Sequence, residues 1–476
     1  MLVTEAIATR VNKRPQEKFH VSIALIVIIF IMVIAVHIIA GVGVFHQGTI
    51  LTPDAKGYDR LAWNMLQTGH FSMAIHPGDA ATQLNSTRTP GYPLFLMLIF
   101  AVFGHHYLAV MVIQSLLLVL LMVLVYHVTA KLAPHPWPLV ASLLIGFCPQ
   151  FITQTKLLQC DTLNAVLIFS AVALLLDGPN TRKLLLSGLL LGFAFLVRPA
   201  GILILIPITI WLLWRYYRKK ECSILLILLW GILAIIGPLA WMARNHSTFG
   251  SWGICTQPDI QLLEYDAFYV TSMHNQERQG RSLHSFLLKD NESLRRELPA
   301  KRWITELQQV NAPVWLVAQE SARLKVPSLL SPAPQNEYTK NKQYGTVAMA
   351  VLGSLPHEWA ICILNGWVHF WFPARGACYE AGPYDASAKY RRLTDSVALL
   401  SWLLIVVAGV WGLLRSLKNK ERCEQGLMLL SVIFLTMFVV LSVGYFRYRM
   451  AIEPFLAVYA AYAFSMLKNV KQPAES

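Results

Sequence analysis

An uncharged run from Val21 to Phe45 constrains this chain more than any other feature. It is long enough to cross a bilayer, whose hydrocarbon core takes about 20 helical residues, and too long for the core of a cleavable signal peptide. Arg10, Lys13, Arg14 and Lys18 precede it, so it reads as an uncleaved anchor with a cytoplasmic N-terminus. Further apolar runs follow at 107–131, 137–153, 160–177, 184–197, 200–214, 223–243, 395–414, 427–445 and 450–467. The expected fold is therefore an all-α polytopic membrane protein with about 10 transmembrane helices. Amphipathic helices are expected in the first outer loop, and a small extracytoplasmic subdomain later in the chain.

Composition and charge agree. Only 14 % of residues are charged, against roughly 25 % in a soluble domain, which excludes a conventional cytosolic enzyme, a coiled coil and a disordered chain. The net charge of +14 would suit nucleic acid in a soluble protein. Here the cations flank apolar runs and fall on one side of the expected topology, which suits anionic lipid head groups and no nucleic acid. On that side lie Arg182 and Lys183, Arg215 to Lys220, Arg415 to Arg422, and Lys468 with Lys471. Both termini are then cytoplasmic.

This divides the chain into residues 1–244 with an outer loop at 46–92, an extracytoplasmic segment 245–356, and a C-terminal membrane part 357–476. Within the middle segment 291–307 and 314–324 have amphipathic helical periodicity, with Glu292 and Arg296 four apart. Tyr92–Gly104 is apolar but short, which suits a partly inserted helix, and His357–Phe372 is read as interfacial or re-entrant. The seven cysteines show no zinc spacing; Cys255 and Cys378 both fall outside the cytoplasm, where a disulfide is open to them.

The first outer loop is the richest in chemistry. It runs Pro53-Asp54-Ala55-Lys56-Gly57-Tyr58 and ends in Arg88-Thr89-Pro90-Gly91-Tyr92-Pro93. Tyr58, Leu61, Ala62 and Met65 form one helical stripe suited to the membrane surface. Asp54 sits where a carboxylate caps a helix and suits its dipole, which is the first reading of these residues alone, with catalysis the second. Asp161 opens a later span in Lys156-Leu157-Leu158-Gln159-Cys160-Asp161; a carboxylate at membrane depth is costly and marks a site. Arg198 interrupts an apolar hairpin whose turn faces outside, either to snorkel to lipid phosphate or to neutralise a bound one. Arg244 and the Arg447-Tyr448-Arg449 stretch also point outside, against the positive-inside tendency. Glu453, four residues after Arg449, can pair with it. No nucleotide cradle, Ser-hydrolase elbow or metalloprotease helix is present.

This order of features resembles the GT-C superfamily of lipid-linked-sugar glycosyltransferases. It is most similar to the branch holding the bacterial aminoarabinose transferases and the protein O-mannosyltransferases. The resemblance rests on Asp54-x-x-x-Tyr58, Arg88-x-Pro90-x-x-Pro93, Asp161, Leu196-Val197-Arg198-Pro199, and Arg447-x-Arg449 with Pro454. It implies an inverting transfer from a polyprenyl-phosphate sugar to a hydroxyl of a glycan, lipid or protein acceptor, outside the cytoplasm. The membrane would be a bacterial inner membrane. Asp54 matches the acid that acts on the acceptor, and Asp161 the second acid. Arg88 falls where the aminoarabinose transferases place a donor-phosphate Lys. Tyr58, Tyr92, Lys156, Arg198, Arg244, Arg447 and Arg449 complete the expected donor-binding set. The lipid-linked donor is the only carrier required, and a divalent cation remains an open auxiliary. Asp54-Ala55 departs from the Asp-Glu pair of the O-mannosyltransferases, and no appended sugar-binding domain is seen. Two alternatives stand beside this reading: a surface-polysaccharide ligase or polymerase, and a transporter of lipid phosphates or solutes.

Overall fold

The computed structural model describes residues 52–176, 178–277, 336–371, 396–419, 428–433 and 446–470, with positions 31, 35, 425 and 426 besides. The first expected span, most of 427–445, the amphipathic stretches at 291–307 and 314–324, and Cys378 lie outside the described residues. Those described are helical almost throughout. The one β contact among them is an isolated bridge between Ser72 and Leu84.

The chain opens with α1 (Pro53–Thr68), followed by the short apolar α2 (Gly91–Phe103). Then come α3 (Tyr107–Ala130), α4 (Trp137–Gly146), α5 (Pro149–Lys156), α6 (Asp161–Leu176) and α7 (Thr181–Val197). A 3-10 turn at Pro199–Ile204 leads into α8 (Leu205–Lys219), and α9 (Ile224–Phe249) follows. Among the described residues, four helices are long and apolar enough to cross a membrane: Tyr107–Ala130, Pro199–Lys219, Ile224–Phe249 and Ser396–Ser416, with two bent pairs bringing the number up to 6. This is a multi-pass membrane architecture. One expected span, 137–153, is two helices, α4 and α5, meeting at 45°. Pro149 starts the second of them, because proline cannot continue a helix but suits its first turn.

Helices in lipid gain little from burying apolar surface against one another, so small residues that allow close approach decide which pairs meet. Gly188-x-x-x-Gly192 on α7 does this against α9. A methyl group on Gly192 would stand 2.6 Å from the Leu233 carbonyl oxygen, and one on Gly188 2.7 Å from that of Trp230. Gly409 and Gly412 let the helix Ser396–Ser416 sit against the final helix, Glu453–Val470, with Leu456 and Tyr459 carbonyls facing them. Gly91 brings the start of α2 onto the backbone of Leu196 and Val197, the residues just before Arg198.

Cations lie over rings at the end of α8: Arg215 over Trp211, Lys219 over Trp214 and Lys220 over Tyr216. Arg215 also pairs with Glu221. Gln425 donates to the Leu176 carbonyl at 3.2 Å, which brings Gln425 to the C-terminal end of α6.

A second apolar cluster forms outside the main core. Leu263, Ala267, Val270 and Met273 pack against Val347, Val351, Leu352 and Leu355. It joins the helical run Gln257–Glu277 to Glu337–Ser354 and Pro356–Trp371, two helices that turn through 108° at their junction.

Candidate functional site

Asp54 lies in the first turn of α1, but it does not cap the helix. Thr52 is the N-cap, its Oγ1 accepting from Ala55 N at 3.2 Å, and Pro53 fills the position that needs no donor. That frees the Asp54 carboxylate, and two guanidiniums take it. Arg88 Nη2 donates to Oδ1 at 2.7 Å, and Arg447 Nη2 to Oδ2 at 3.0 Å. Burial pushes this carboxyl upward, but Arg447 and Arg88 outweigh it and hold it well below the usual carboxylate range. The Asp54 side chain nevertheless keeps 30 % of its surface exposed, enough for a small group to reach it.

Arg88 is held flat. Its guanidinium lies 4.2 Å from the centroid of the Tyr58 ring, and α1 leaves room for it at Gly57, where a methyl group would stand 3.2 Å from Arg88 Nε. Tyr58 packs edge-on against Tyr92, and its hydroxyl meets Cys160 Sγ at 3.5 Å. Burial pushes the Tyr58 phenol well above its ordinary value, so it stays neutral. The Tyr92 hydroxyl donates to Gln114 Oε1 at 2.9 Å, and Gln114 in turn donates to the Thr155 and Leu157 carbonyls. Gln159 donates to Thr52 Oγ1 at 3.1 Å. The 155–160 connection is thereby tied to the start of α1, and Lys156 closes α5 on this same connection.

Asp161 is 2 % exposed and accepts from Arg198 Nη1 at 2.6 Å. The Arg198 guanidinium lies 4.2 Å from the centroid of Tyr448, the neighbour of Arg447. A continuous chain of contacts therefore runs Asp54, Arg447, Tyr448, Arg198, Asp161. The other Asp161 oxygen is buried without a hydrogen-bond partner, which leaves one acceptor at the inner end of the constellation.

Two sequence candidates sit elsewhere. Arg449 is turned away from Arg447 because the stretch Phe446–Ala451 is a 3-10 helix, whose three residues per turn send alternate side chains in different directions. It donates to Glu453 at 2.9 Å and to the Phe370 and Trp371 carbonyls at 2.7 and 2.8 Å. Arg244 donates to the Asn85 carbonyl at 3.2 Å and to Asn245, stacked over Trp241; it braces the loop that precedes Arg88. Sequence reading overlooked Glu337, Asn341 and Thr256, which hold that same loop. No local pattern marks them, since their partners lie some 170 to 254 positions away. Among the described residues no group of three or more metal-ligating side chains occurs. Cys255 is a free, buried thiol pushed up to about 11 by that burial.

Residues 87–241, which carry Arg88, Asp161 and Arg198, match the family model of the dolichyl-phosphate-mannose-protein mannosyltransferases. The GT-C likeness holds over this segment. Among solved structures, the chain is similar to the apo oligosaccharyltransferase of Archaeoglobus fulgidus, at 15 % identity and a TM-score of 0.49, over 93 % of this chain and 51 % of that one. It is also similar to ArnT from Cupriavidus metallidurans bound to undecaprenyl phosphate, at 13 % identity and a TM-score of 0.40, over 95 % and 82 %. This chain spans about half the length of the archaeal oligosaccharyltransferase. No curated protein sequence matches it.

Proposed function

We propose that this protein is an integral membrane glycosyltransferase that moves a sugar from a polyprenyl-phosphate donor to an acceptor hydroxyl on the extracytoplasmic side. The acceptor belongs to a cell-envelope glycan or lipid, and the membrane is a bacterial inner membrane. The observation that carries this reading is the Asp54 carboxylate gripped by Arg88 and Arg447, a base and two phosphate-binding forks in one place. The matched family model adds support, since it describes enzymes whose donor is a lipid-phosphate sugar.

A glycosyl phosphate leaves as a stable anion and needs little protonation. What the reaction lacks is a base for the hydroxyl and positive charge for the departing phosphate. With both guanidiniums on it, Asp54 is a poor base. The donor's phosphate is a competing anion for the same two forks, and Arg grips phosphate oxygens in pairs. As Arg88 and Arg447 turn to it, Asp54 regains basicity and accepts the proton of the acceptor hydroxyl. The acceptor oxygen bonds to the anomeric carbon from the face opposite the phosphate, the carbon–phosphate oxygen bond breaks, and its electron pair stays on the phosphate. Configuration inverts. Arg198, paired to Asp161 and stacked on Tyr448, fixes the inner wall behind Arg447.

The test is release of free polyprenyl phosphate from a panel of polyprenyl-phosphate sugars by the purified protein. Release by wild type that is lost in Asp54→Asn supports the assignment. Undiminished release by the variant overturns it.

A further inference from the structure

Arg88 owes its position to the turn that presents it. Asn85 Oδ1 accepts from the Arg88 backbone N at 3.0 Å, so the Asn85–Thr87 turn sets where the guanidinium starts. That turn is gripped by one carboxylate from far along the chain. Glu337 Oε1 accepts from Asn85 Nδ2 at 3.1 Å and from Thr87 Oγ1 at 3.3 Å. Its Oε2 accepts from Ser86 N at 2.5 Å and from Ser86 Oγ at 2.9 Å. Each of the three residues before Arg88 therefore donates to it.

The surroundings reinforce this grip. Thr256 N donates to the Ser86 carbonyl at 2.9 Å and Gln257 N to that of Thr87 at 3.1 Å. Asn341, one turn beyond Glu337, donates to Thr256 Oγ1 at 2.8 Å and to Thr87 Oγ1 at 3.3 Å. Asn85, Ser86, Thr256 and Asn341 are all buried. Glu337 is not occupied as a helix cap. Asn336 caps Glu337–Ser354 through a capping box with Thr339, which satisfies the first-turn donors without it. Its carboxylate is thus free to serve the turn, and charge-assisted bonds to buried donors are the kind that fix geometry.

We propose that Glu337 is the positioning residue for Arg88: by holding Asn85–Thr87 it sets the guanidinium where the donor's phosphate meets it. The segment after α9 would then tune affinity for the lipid phosphate without touching it. This inference rests on the reading of Arg88 as a phosphate contact. Glu337→Gln removes the charge and one acceptor and turns an amide donor toward donors. Glu337→Asp keeps both acceptors with a shorter reach.

The experiment measures binding of undecaprenyl phosphate to the full-length protein in detergent for wild type, Arg88→Ala, Glu337→Gln, Glu337→Asp and the Arg88→Ala/Glu337→Gln pair. The expected result is about tenfold weaker binding for Arg88→Ala and for Glu337→Gln, with most of it recovered in Glu337→Asp. The double variant should bind no more weakly than Arg88→Ala alone. With a sugar-loaded donor, Glu337→Gln should raise KM and lower kcat in the same sense as Arg88→Ala, with both recovered in Glu337→Asp. If Glu337→Gln binds like wild type while Arg88→Ala does not, or if the two losses multiply, the proposal is overturned. If Arg88→Ala binds like wild type, the phosphate role of Arg88 fails and the proposal falls with it, a distinct pattern. Should Glu337→Gln not accumulate as folded protein, Thr87→Val removes one bond to the same carboxylate. A loss that disappears in the Arg88→Ala background supports the proposal, and unchanged binding overturns it.

Discussion

Asp54 and Arg447 are separated by 393 positions and meet at 3.0 Å. One stands at the start of α1 and the other in the 3-10 turn before Glu453–Val470, so the site closes only when these two distant segments have come together. Arg88 completes the grip from a third place. The carboxylate and any bound phosphate must then compete for the same two guanidiniums, and this competition gives the first prediction its sign. Asp54→Asn should abolish turnover, by about 10²–10⁴-fold for a lost general base, yet bind polyprenyl phosphate several-fold more tightly. Tighter binding with no turnover, read by a binding titration beside the release assay, is not what general damage to the fold would produce.

The same ion pairs set a dependence on pH. A carboxyl whose pKa falls on folding adds stability above its unfolded value, about 3.9 for Asp, and loses it as pH falls through the folded value. The Asp54 carboxyl is held well below the ordinary range by Arg447 and Arg88, against the upward push of burial. The Tm difference between wild type and Asp54→Asn should therefore stay flat above about pH 5 and narrow only below about pH 4. Narrowing between pH 6 and 8 would show that another group controls it.

Close helix packing makes a different demand. A methyl group on Gly412 would lie 2.0 Å from the Tyr459 carbonyl oxygen, and backbone cannot step aside as a side chain can. Gly412→Ala should cost about 1–3 kcal/mol in a thermal or denaturant melt in detergent. Gly231→Ala, in a helix with nothing within 4 Å of the new carbon, should be neutral or slightly stabilising. Equal effects at both glycines would remove the packing argument.

Arg449 and Glu453 form a pair that is 3 % and 2 % exposed. Removing one partner strands a buried charge, so Glu453→Ala should destabilise by about 3–5 kcal/mol. Replacing both, as Arg449→Met with Glu453→Leu, should recover a large share of that loss. Turnover per folded molecule should stay near wild type in the double variant, because this pair lies apart from the Asp54 grip. A loss of turnover without loss of Tm would return Arg449 to the site.

The membrane character and most helix positions were legible in the sequence because hydropathy and charge bias are local properties. α3 and α9 coincide with apolar runs for this reason, and α2 with the short run at Tyr92–Gly104. Asp161 and Arg198 could be singled out because charge at apolar segments is costly and stands out, Asp54 because it opens an amphipathic stretch of the first outer loop, and Arg88 through the family resemblance. Sequence could not separate Arg447 from Arg449, since a 3-10 turn rather than any residue preference sends one to Asp54 and the other to Glu453. Nor could it find Glu337, an ordinary acid at a helix start whose partners lie 250 to 252 positions away. The sequence by itself determined which segments are apolar enough to enter a bilayer, because each residue's transfer energy is its own. Only the tertiary structure decided which charges share a partner, because a hydrogen bond depends on where two distant backbones come to rest.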